Sequence, residues 1–364
     1  MEALAEQLKT FIRARGPIPF RDWMLAALYD PEFGYYNRGD LARWGREGDY
    51  RTSPERSVLF AATFARYFAK LYEELERPAA WTIVEGGGGD GRFAHGVLST
   101  LAEQYPRVLE ATRYVFQETS SDAVRRARDV LSEFPAHVSF GDESALLPAN
   151  PSLYFSNELL DAFPVHRVTR EGELYVTLDD NDKFVWTTGT FSDPRLQDYS
   201  TKLAPGQIIE VNLAIDDWLT PIALRMERGF VITVDYGAEE DELYDAALRP
   251  EGTLRAFSRH GFVDDVLFAP GDYDITSSVN WTHLMAAGER LGLAVVEFDS
   301  QNRFLLRAGL LEALEKELKQ MEKNADQIRL TIGAREMILP GGMASSFQVL
   351  VQKREEGRWR ESSS

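Results

Sequence analysis

Residues 84–91 read Val-Glu-Gly-Gly-Gly-Gly-Asp-Gly. They directly follow the strand-like run Trp81-Thr82-Ile83-Val84 and precede helical sequence from Arg92 to Gln104. Glycines are needed where a backbone turns tightly and lies against a ligand, because a Cβ would occupy that space. Gly86, Gly88 and Gly91 satisfy the G-x-G-x-x-G spacing of dinucleotide-binding turns. Acids follow three successive apolar runs: Glu85, then Glu118 after Tyr114-Val115-Phe116, then Asp142 after Val138-Ser139-Phe140. A carboxylate at Glu85 suits a cationic amino group and sits awkwardly beside a pyrophosphate. Glu118, with Thr119 beside it, suits both hydroxyls of a ribose, and Asp142 stands where an adenine amino group would be bound. Each acid alone also reads as a simple loop residue; together they favour an adenosyl ligand.

The same run satisfies E-x-G-x-G-x-G through Glu85, Gly87, Gly89 and Gly91, which resembles the first motif of S-adenosylmethionine methyltransferases. Four consecutive glycines make either match cheap, so the acids decide rather than the spacing. A fourth apolar run, Leu153-Tyr154-Phe155, ends at Ser156-Asn157-Glu158-Leu159-Leu160-Asp161-Ala162-Phe163-Pro164. Ligands of open α/β sheets collect beyond the carboxyl ends of strands, so this turn is expected to face the reacting group. Glu158 and Asp161, with Asn157 alongside, suit a clasp that orients a guanidinium for attack. The two acids also read as helix N-terminal carboxylates stabilised by the helix dipole.

These residues need elements to hold them. Residues 1–30 have helical periodicity (Leu4, Leu8, Phe11, Ile12, then Trp23, Met24, Ala27, Leu28), and 30–52 reads as an irregular loop. A helix is expected from about Pro54 to Leu75, with Ser53 as its cap. Strand and helix then alternate to about residue 165, which argues for a parallel, doubly wound sheet. Residues 165–211 read as an antiparallel insertion with a hairpin turn at Asp180-Asn181-Asp182. Helix 214–227 and a strand at 230–234 restore the α/β pattern. A loop-rich stretch, 236–278, is followed by helix 281–291 and strand 294–298. Gln301 to Leu306 is expected to be the next strand, before a charged helix at 310–323 and a final strand from Phe347 to Val351. The polar tail from Lys353 is expected to fray.

The expected organisation is an N-terminal helical and lid region (1–80), a first core part (81–164), the insertion (165–211), and the remaining core (212–352). Cleft loops occupy 236–280 and a flexible tail 353–364. The 364 residues are 44% hydrophobic and 12% aromatic, enough for a large core. With 58 acidic and 40 basic residues, the formal net charge of −18 repels a phosphate backbone and suits a cationic partner. Solubility alone explains the acidity equally well. The absence of cysteine excludes disulfides and thiolate metal sites and fits a cytoplasmic setting. No targeting segment or membrane span is expected, and His95, His137, His166, His260 and His283 lack ligand-like spacing, so no metal is expected.

Several stretches together resemble the MidA-like family, which includes a mitochondrial assembly-factor methyltransferase for respiratory complex I. They are Gly48-Asp49-Tyr50-Arg51-Thr52-Ser53-Pro54-Glu55, the Glu85 to Gly91 loop, Gln117 to Ser120, Ser156 to His166, Val234 to Gly237, Gly252 to Phe257, Asp274 to Thr276, and Gln301 to Gly309. The resemblance runs nearly end to end. It implies a Rossmann-like class I methyltransferase sheet, S-adenosyl-L-methionine as cofactor with S-adenosyl-L-homocysteine as product, and an arginine of a complex I subunit as substrate. It also implies that Asp49, Thr52, Ser53 and Pro54 form a lid over the cofactor, with Ser53 and Pro54 among the cofactor-binding residues, and that Asp49, Tyr50, Arg255 and His260 line the substrate cleft. Phe257 replaces the family's tyrosine, and the glycine loop departs from its usual form by being all glycine with Asp90. Three other readings stay open: a nicotinamide-dependent oxidoreductase, a methyltransferase for a small molecule or another side chain, and a non-catalytic assembly chaperone. A homodimer is compatible with the sequence, and nucleic acid is not an expected partner.

Overall fold

The computed structural model describes residues 2–39, 58–141, 152–258, 261–322, 324–339 and 346–355. They form two compact units, each assembled from separated stretches of chain. One gathers Met1–Tyr50, Leu160–Trp218 and Gly237–Met285; the other gathers Arg51–Leu159, Leu219–Tyr236 and Ala286–Ser364.

The second unit is built on a sheet whose strands are β1 (Trp81–Gly86), β2 (Thr112–Gln117), β3 (Val138–Gly141), β4 (Ser152–Asn157), β5 (Gly229–Ala238), β6 (Ala294–Ser300) and β7 (Phe347–Arg354). Their order is β6-β7-β5-β4-β1-β2-β3. The pairs from β5 to β3 are all parallel, and β7 lies antiparallel between β5 and β6. Strands covered on both faces must be apolar nearly throughout, and all six residues of β1 are buried. One face carries Ile83, Tyr114, Phe155, Ile232 and Val349, packed in the same core as Phe60, Phe64 and Phe68 of helix Val58–Glu74 and Phe93 of helix Arg92–Gln104. Phe93 stacks on Phe155 with ring centroids 4.6 Å apart, which pins the helix after the glycine loop to β4.

Two expectations for this unit are corrected. Gln301 to Leu306 is not a strand but the start of a helix, Gln301–Ala308. Gln301, Phe304, Leu305 and Ala308 are buried and fall at helical spacing, while Arg303 and Arg307 project outward. Lys353 and Arg354 do not fray; both belong to β7, where Arg354 donates to the carbonyl of Leu291 at 3.2 Å and to that of Ala223. Two helices not anticipated, Pro106–Ala111 and Asn324–Ile338, complete the unit; the first begins with proline, whose missing N–H costs nothing at that position.

In the other unit, helices Glu2–Arg15 and Phe20–Tyr29 share a core with an antiparallel sheet. That sheet contains Ile18–Pro19, His166–Thr169, Glu173–Leu178, Phe184–Gly189 and Ile208–Val211. The hairpin expected at 180–182 is present, and Asp182 takes a left-handed φ of 64° there. The stretch 236–278, expected to be loop-rich, also contains a small antiparallel sheet of Arg255–Ser258, Gly261–Phe262 and Asp274–Thr276. Local sequence missed it because its strands are two to four residues long, too short to show alternation.

Candidate functional site

The glycine loop leaves β1 at Gly86 and turns into helix Arg92–Gln104 through Gly87, Gly89 and Gly91, with φ of 68°, 58° and 82°. These values lie in the left-handed region, which strongly favours glycine. Two further glycines are needed for space. A Cβ on Gly86 would overlap the Tyr154 hydroxyl, and one on Gly88 would overlap the Phe116 ring. The Gly88 N–H donates to the Gln117 carbonyl at 3.1 Å, so the loop is fastened to the end of β2.

Glu118, one residue beyond β2, completes the fastening. Its Oε2 accepts the Gly89 N–H at 3.0 Å and its Oε1 accepts the Ser120 N–H at 2.8 Å. Ser120 in turn stands at the N-cap of helix Ser121–Val130, where its hydroxyl accepts from the Ala123 N–H. The Thr119 hydroxyl lies 3.5 Å from Glu118 Oε1.

Glu85 is buried in β1, and Tyr114 of the neighbouring strand donates its hydroxyl to Glu85 Oε2 at 2.8 Å. Burial pushes this carboxyl up to about 8, with Glu118 and Asp90 adding repulsion, against the opposing hydrogen bond from Tyr114. At neutral pH Glu85 therefore keeps its proton, where the sequence suggested a carboxylate. Tyr114 and Tyr154, which shape the loop from below, were not singled out in the sequence. Their only local signal is aromatic residues within buried strands.

Beyond β4, Glu158 has φ of 50°. A non-glycine residue in this region is strained by roughly 1–3 kcal/mol and persists only where its surroundings impose it. Here its N–H donates to the Val234 carbonyl of β5 at 2.9 Å, which continues the strand pairing by one residue past Asn157. Asn157 Nδ2 lies 3.3 Å from Glu158 Oε1, and Asn157 Oδ1 is buried without a hydrogen-bond partner among the described residues. Gln117 Nε2 and Ser156 Oγ are buried in the same condition at neighbouring strand ends.

Asp161 and Arg255 belong to the other unit. Asp161 lies in a three-residue 3-10 turn, Leu160–Ala162, rather than at the start of an α-helix, and it is buried. Arg255 donates to the Thr253 carbonyl at 3.2 Å and to the Ser278 hydroxyl at 2.8 Å. Asp49, Tyr50, Thr52, Ser53, Pro54, Asp142 and His260 lie outside the described residues. Among the described residues no group of His, Asp or Glu is arranged to hold a metal ion, and no helix is long and apolar enough to cross a membrane.

The donor set tests which ligand the loop fits. Residues 85–91 carry Glu85 and Asp90 and no cation, and the next residue, Arg92, already pairs with Asp90 at 3.2 Å. A pyrophosphate would meet carboxyl groups without a counter-charge, whereas the ammonium of an adenosyl ligand would meet a carboxyl group, Glu85, whose ionisation a nearby cation favours.

Residues 63–299 match the family model described as "Putative S-adenosyl-L-methionine-dependent methyltransferase". Among curated proteins, the chain is 24% identical to human protein arginine methyltransferase NDUFAF7, mitochondrial, over 96% of this chain and 84% of that protein. It is 26% identical to the Drosophila melanogaster homologue over 80% of this chain and 71% of that one. A Burkholderia thailandensis protein solved with S-adenosyl-homocysteine bound is 29% identical. It superposes with a TM-score of 0.86 over 97% of this chain and 92% of that one.

Proposed function

The chain belongs to this S-adenosyl-L-methionine-dependent methyltransferase family, and from that premise we propose that it methylates a guanidinium nitrogen of arginine in a protein client. The cofactor class and the transfer of a methyl group follow from the family match and from the S-adenosyl-homocysteine bound to the Burkholderia protein. The arginine substrate is our reading. It is supported by relatives named protein arginine methyltransferases that align over most of the chain, and by the acidic groups at the strand ends. A subunit of respiratory complex I is the client to which the MidA-like resemblance points.

S-adenosylmethionine, when bound, supplies a sulfonium methyl that is already electrophilic. The work left to this chain is binding, orientation and exclusion of water. Glu118 would accept the ribose hydroxyls, with Thr119 beside it. Gly86, Gly87, Gly89 and Gly91 would let the loop backbone approach the ligand. Glu85 would face the ligand's ammonium group and give up its proton as the cation arrives, since a nearby positive charge favours the ionised carboxyl. The observation that carries the client assignment is the strained Glu158, an acid held in a left-handed conformation at a strand end by the Val234 carbonyl. Its carboxylate, steadied by Asn157, would accept guanidinium N–H groups and hold one nitrogen toward the methyl carbon.

The test is transfer of radiolabelled methyl groups from S-adenosylmethionine to an arginine-containing peptide, with the arginine replaced by lysine or glutamine as controls. Label located on arginine and lost in Glu158→Gln, with cofactor affinity retained, is the expected result. Label on lysine or on another side chain would overturn the arginine assignment. Unchanged transfer by Glu158→Gln would remove Glu158 from the site.

A further inference from the structure

Gly252 to Phe257 stands out in the sequence, and no step of methyl transfer derived above uses it. Its shape is imposed by an acid of the antiparallel insertion, within the same unit. Glu210 of strand Ile208–Val211 pairs across the sheet with Arg167 of strand His166–Thr169, and its Oε1 lies 3.1 Å from Arg167 Nε. Arg167 is held in turn. Its Nη2 donates to the Glu251 carbonyl at 2.8 Å, and its guanidinium lies 4.9 Å from the Trp186 ring centroid. The Glu210 side chain is only 4% exposed, so its second oxygen also needs partners from the protein.

That oxygen, Oε2, accepts the Thr253 N–H at 2.5 Å and the Thr253 hydroxyl at 3.1 Å. Glycine is required at 252, because a Cβ there would overlap the same carboxylate and its φ of 81° is left-handed. A carboxylate can only accept, so the Thr253 hydroxyl hydrogen is committed to Glu210 and its oxygen is left to accept. It accepts the Ser278 N–H at 3.0 Å. Arg255 is then held at two points by the residues so fixed. Its Nε donates to the Thr253 carbonyl at 3.2 Å and its Nη2 to the Ser278 hydroxyl at 2.8 Å. These two nitrogens lie along one edge of the guanidinium, so its plane is set. Both partners are neutral oxygens, and these contacts therefore orient the cation without neutralising it.

The placement of this cation bears on the reaction. Ser277, next to Ser278, donates its N–H to the Asp161 carbonyl at 2.9 Å, and Asp161 stands three residues along the chain from Glu158. The segment that holds Arg255 is thereby tied to the turn that follows the acid assigned to the modified arginine. A half-buried guanidinium with a fixed plane suits a carboxylate above other partners, since it can meet both oxygens with parallel N–H donors.

We propose that Glu210 is a positioning residue which, through Thr253 and Ser278, presents Arg255 as an anchor for a carboxylate of the client, an aspartate or glutamate flanking the modified arginine. It rests on the reading of a protein client and adds a specificity determinant to it.

The experiment is calorimetric binding of two peptides to the full chain saturated with S-adenosylhomocysteine. Both carry a central arginine, flanked on each side by glutamates in one and by glutamines in the other. The net charge of −18 works against the glutamate peptide, so its tighter binding reports a local cation. The wild type is expected to prefer the glutamate peptide by about threefold or more. That preference should vanish in Arg255→Met, in Glu210→Gln and in Thr253→Val, and persist in Thr253→Ser, which keeps the hydroxyl. General damage to the fold weakens both peptides alike, whereas a misdirected Arg255 erases the ratio between them. Equal binding of the two peptides by the wild type, or a preference that survives Arg255→Met, overturns the anchor. A preference lost in Arg255→Met but kept in both Glu210→Gln and Thr253→Val overturns the positioning role. The expected pattern without any methyl transfer to arginine would leave the anchor standing and remove the arginine-methylation reading instead.

Discussion

Gly89 donates its backbone N–H to Glu118 Oε2 at 3.0 Å, so the acid after the second strand and the glycine loop after the first form one structure. The acid orders the loop as well as standing where a ribose would be held. Glu118→Gln keeps the size but replaces one acceptor with a donor and removes the charge that strengthens the bond. S-adenosylhomocysteine affinity, measured by calorimetry, is expected to fall about tenfold or more, with little change in melting temperature. Full affinity in this variant would show that Glu118 neither orders the loop nor holds the ligand.

Glu85 makes stability depend on pH in a defined direction. Its folded carboxyl titrates at about 8 against an ordinary 4.5, so between those values the folded chain holds a proton that the unfolded chain has released. Stability is therefore fully supported below about pH 4.5 and declines as pH rises toward 8. Glu85→Gln mimics the protonated form and is expected to stabilise the protein by about 3 kcal/mol at pH 7, with the gain vanishing near pH 4.5. Denaturant unfolding of both proteins across this range measures it, and a gain that does not change with pH would contradict the buried, protonated Glu85.

The same proton has a signature in ligand binding. If an ammonium arrives beside Glu85, a proton should be released at pH 7. Calorimetry of S-adenosylmethionine binding in buffers of different ionisation enthalpy reads that number directly. Glu85→Gln should lower it. Identical proton release by both proteins would mean the ammonium binds elsewhere.

Relief of backbone strain and loss of function should coincide at Glu158. Glu158→Gly removes the left-handed penalty and is expected to stabilise the fold by about 1 kcal/mol while methyl transfer falls at least about a hundredfold. Thermal melts and turnover on the same preparation check both halves. A destabilised Glu158→Gly would indicate that side-chain contacts, rather than the Val234 hydrogen bond, hold the turn.

Gly86 is limited by space rather than by φ. Gly86→Ala drives a methyl into the Tyr154 hydroxyl, which also donates to Gln117 Oε1 at 3.1 Å, and is expected to cost about 1–3 kcal/mol. Adding Tyr154→Phe removes the overlapping oxygen and should recover part of that loss. Strictly additive effects of the two substitutions in denaturant unfolding would exclude the overlap as the cause.

Much of the core was legible because its signals are short in range. A run of Trp81 to Val84 followed by four glycines already requires a strand that ends in a tight turn, and the positive φ of Gly87, Gly89 and Gly91 is a local steric demand that glycine meets. The strand-end position of Glu118 follows from the same counting. Gln301 to Ala308 misled because its apolar residues sit three and four apart over a single turn and are partly contiguous, so length gave no guide to period.

The alternation of strand and helix through residue 165, apart from the short helix Pro106–Ala111, was legible along the chain, as were the glycine turn and the acids at the strand ends, since all of these depend on neighbours in sequence. Only the tertiary structure decided the states of those groups. Glu85 holds its proton because the sheet and its covering helices remove it from water, and Glu158 is left-handed because a strand more than seventy residues later in the chain supplies the carbonyl of Val234. The hydrogen-bonded chain of Asp216, His283 and Tyr199 likewise joins residues from separate stretches and is absent from any one of them. Desolvation and long-range hydrogen bonding act through space, and composition or spacing along a chain does not encode which distant groups will share one dielectric environment.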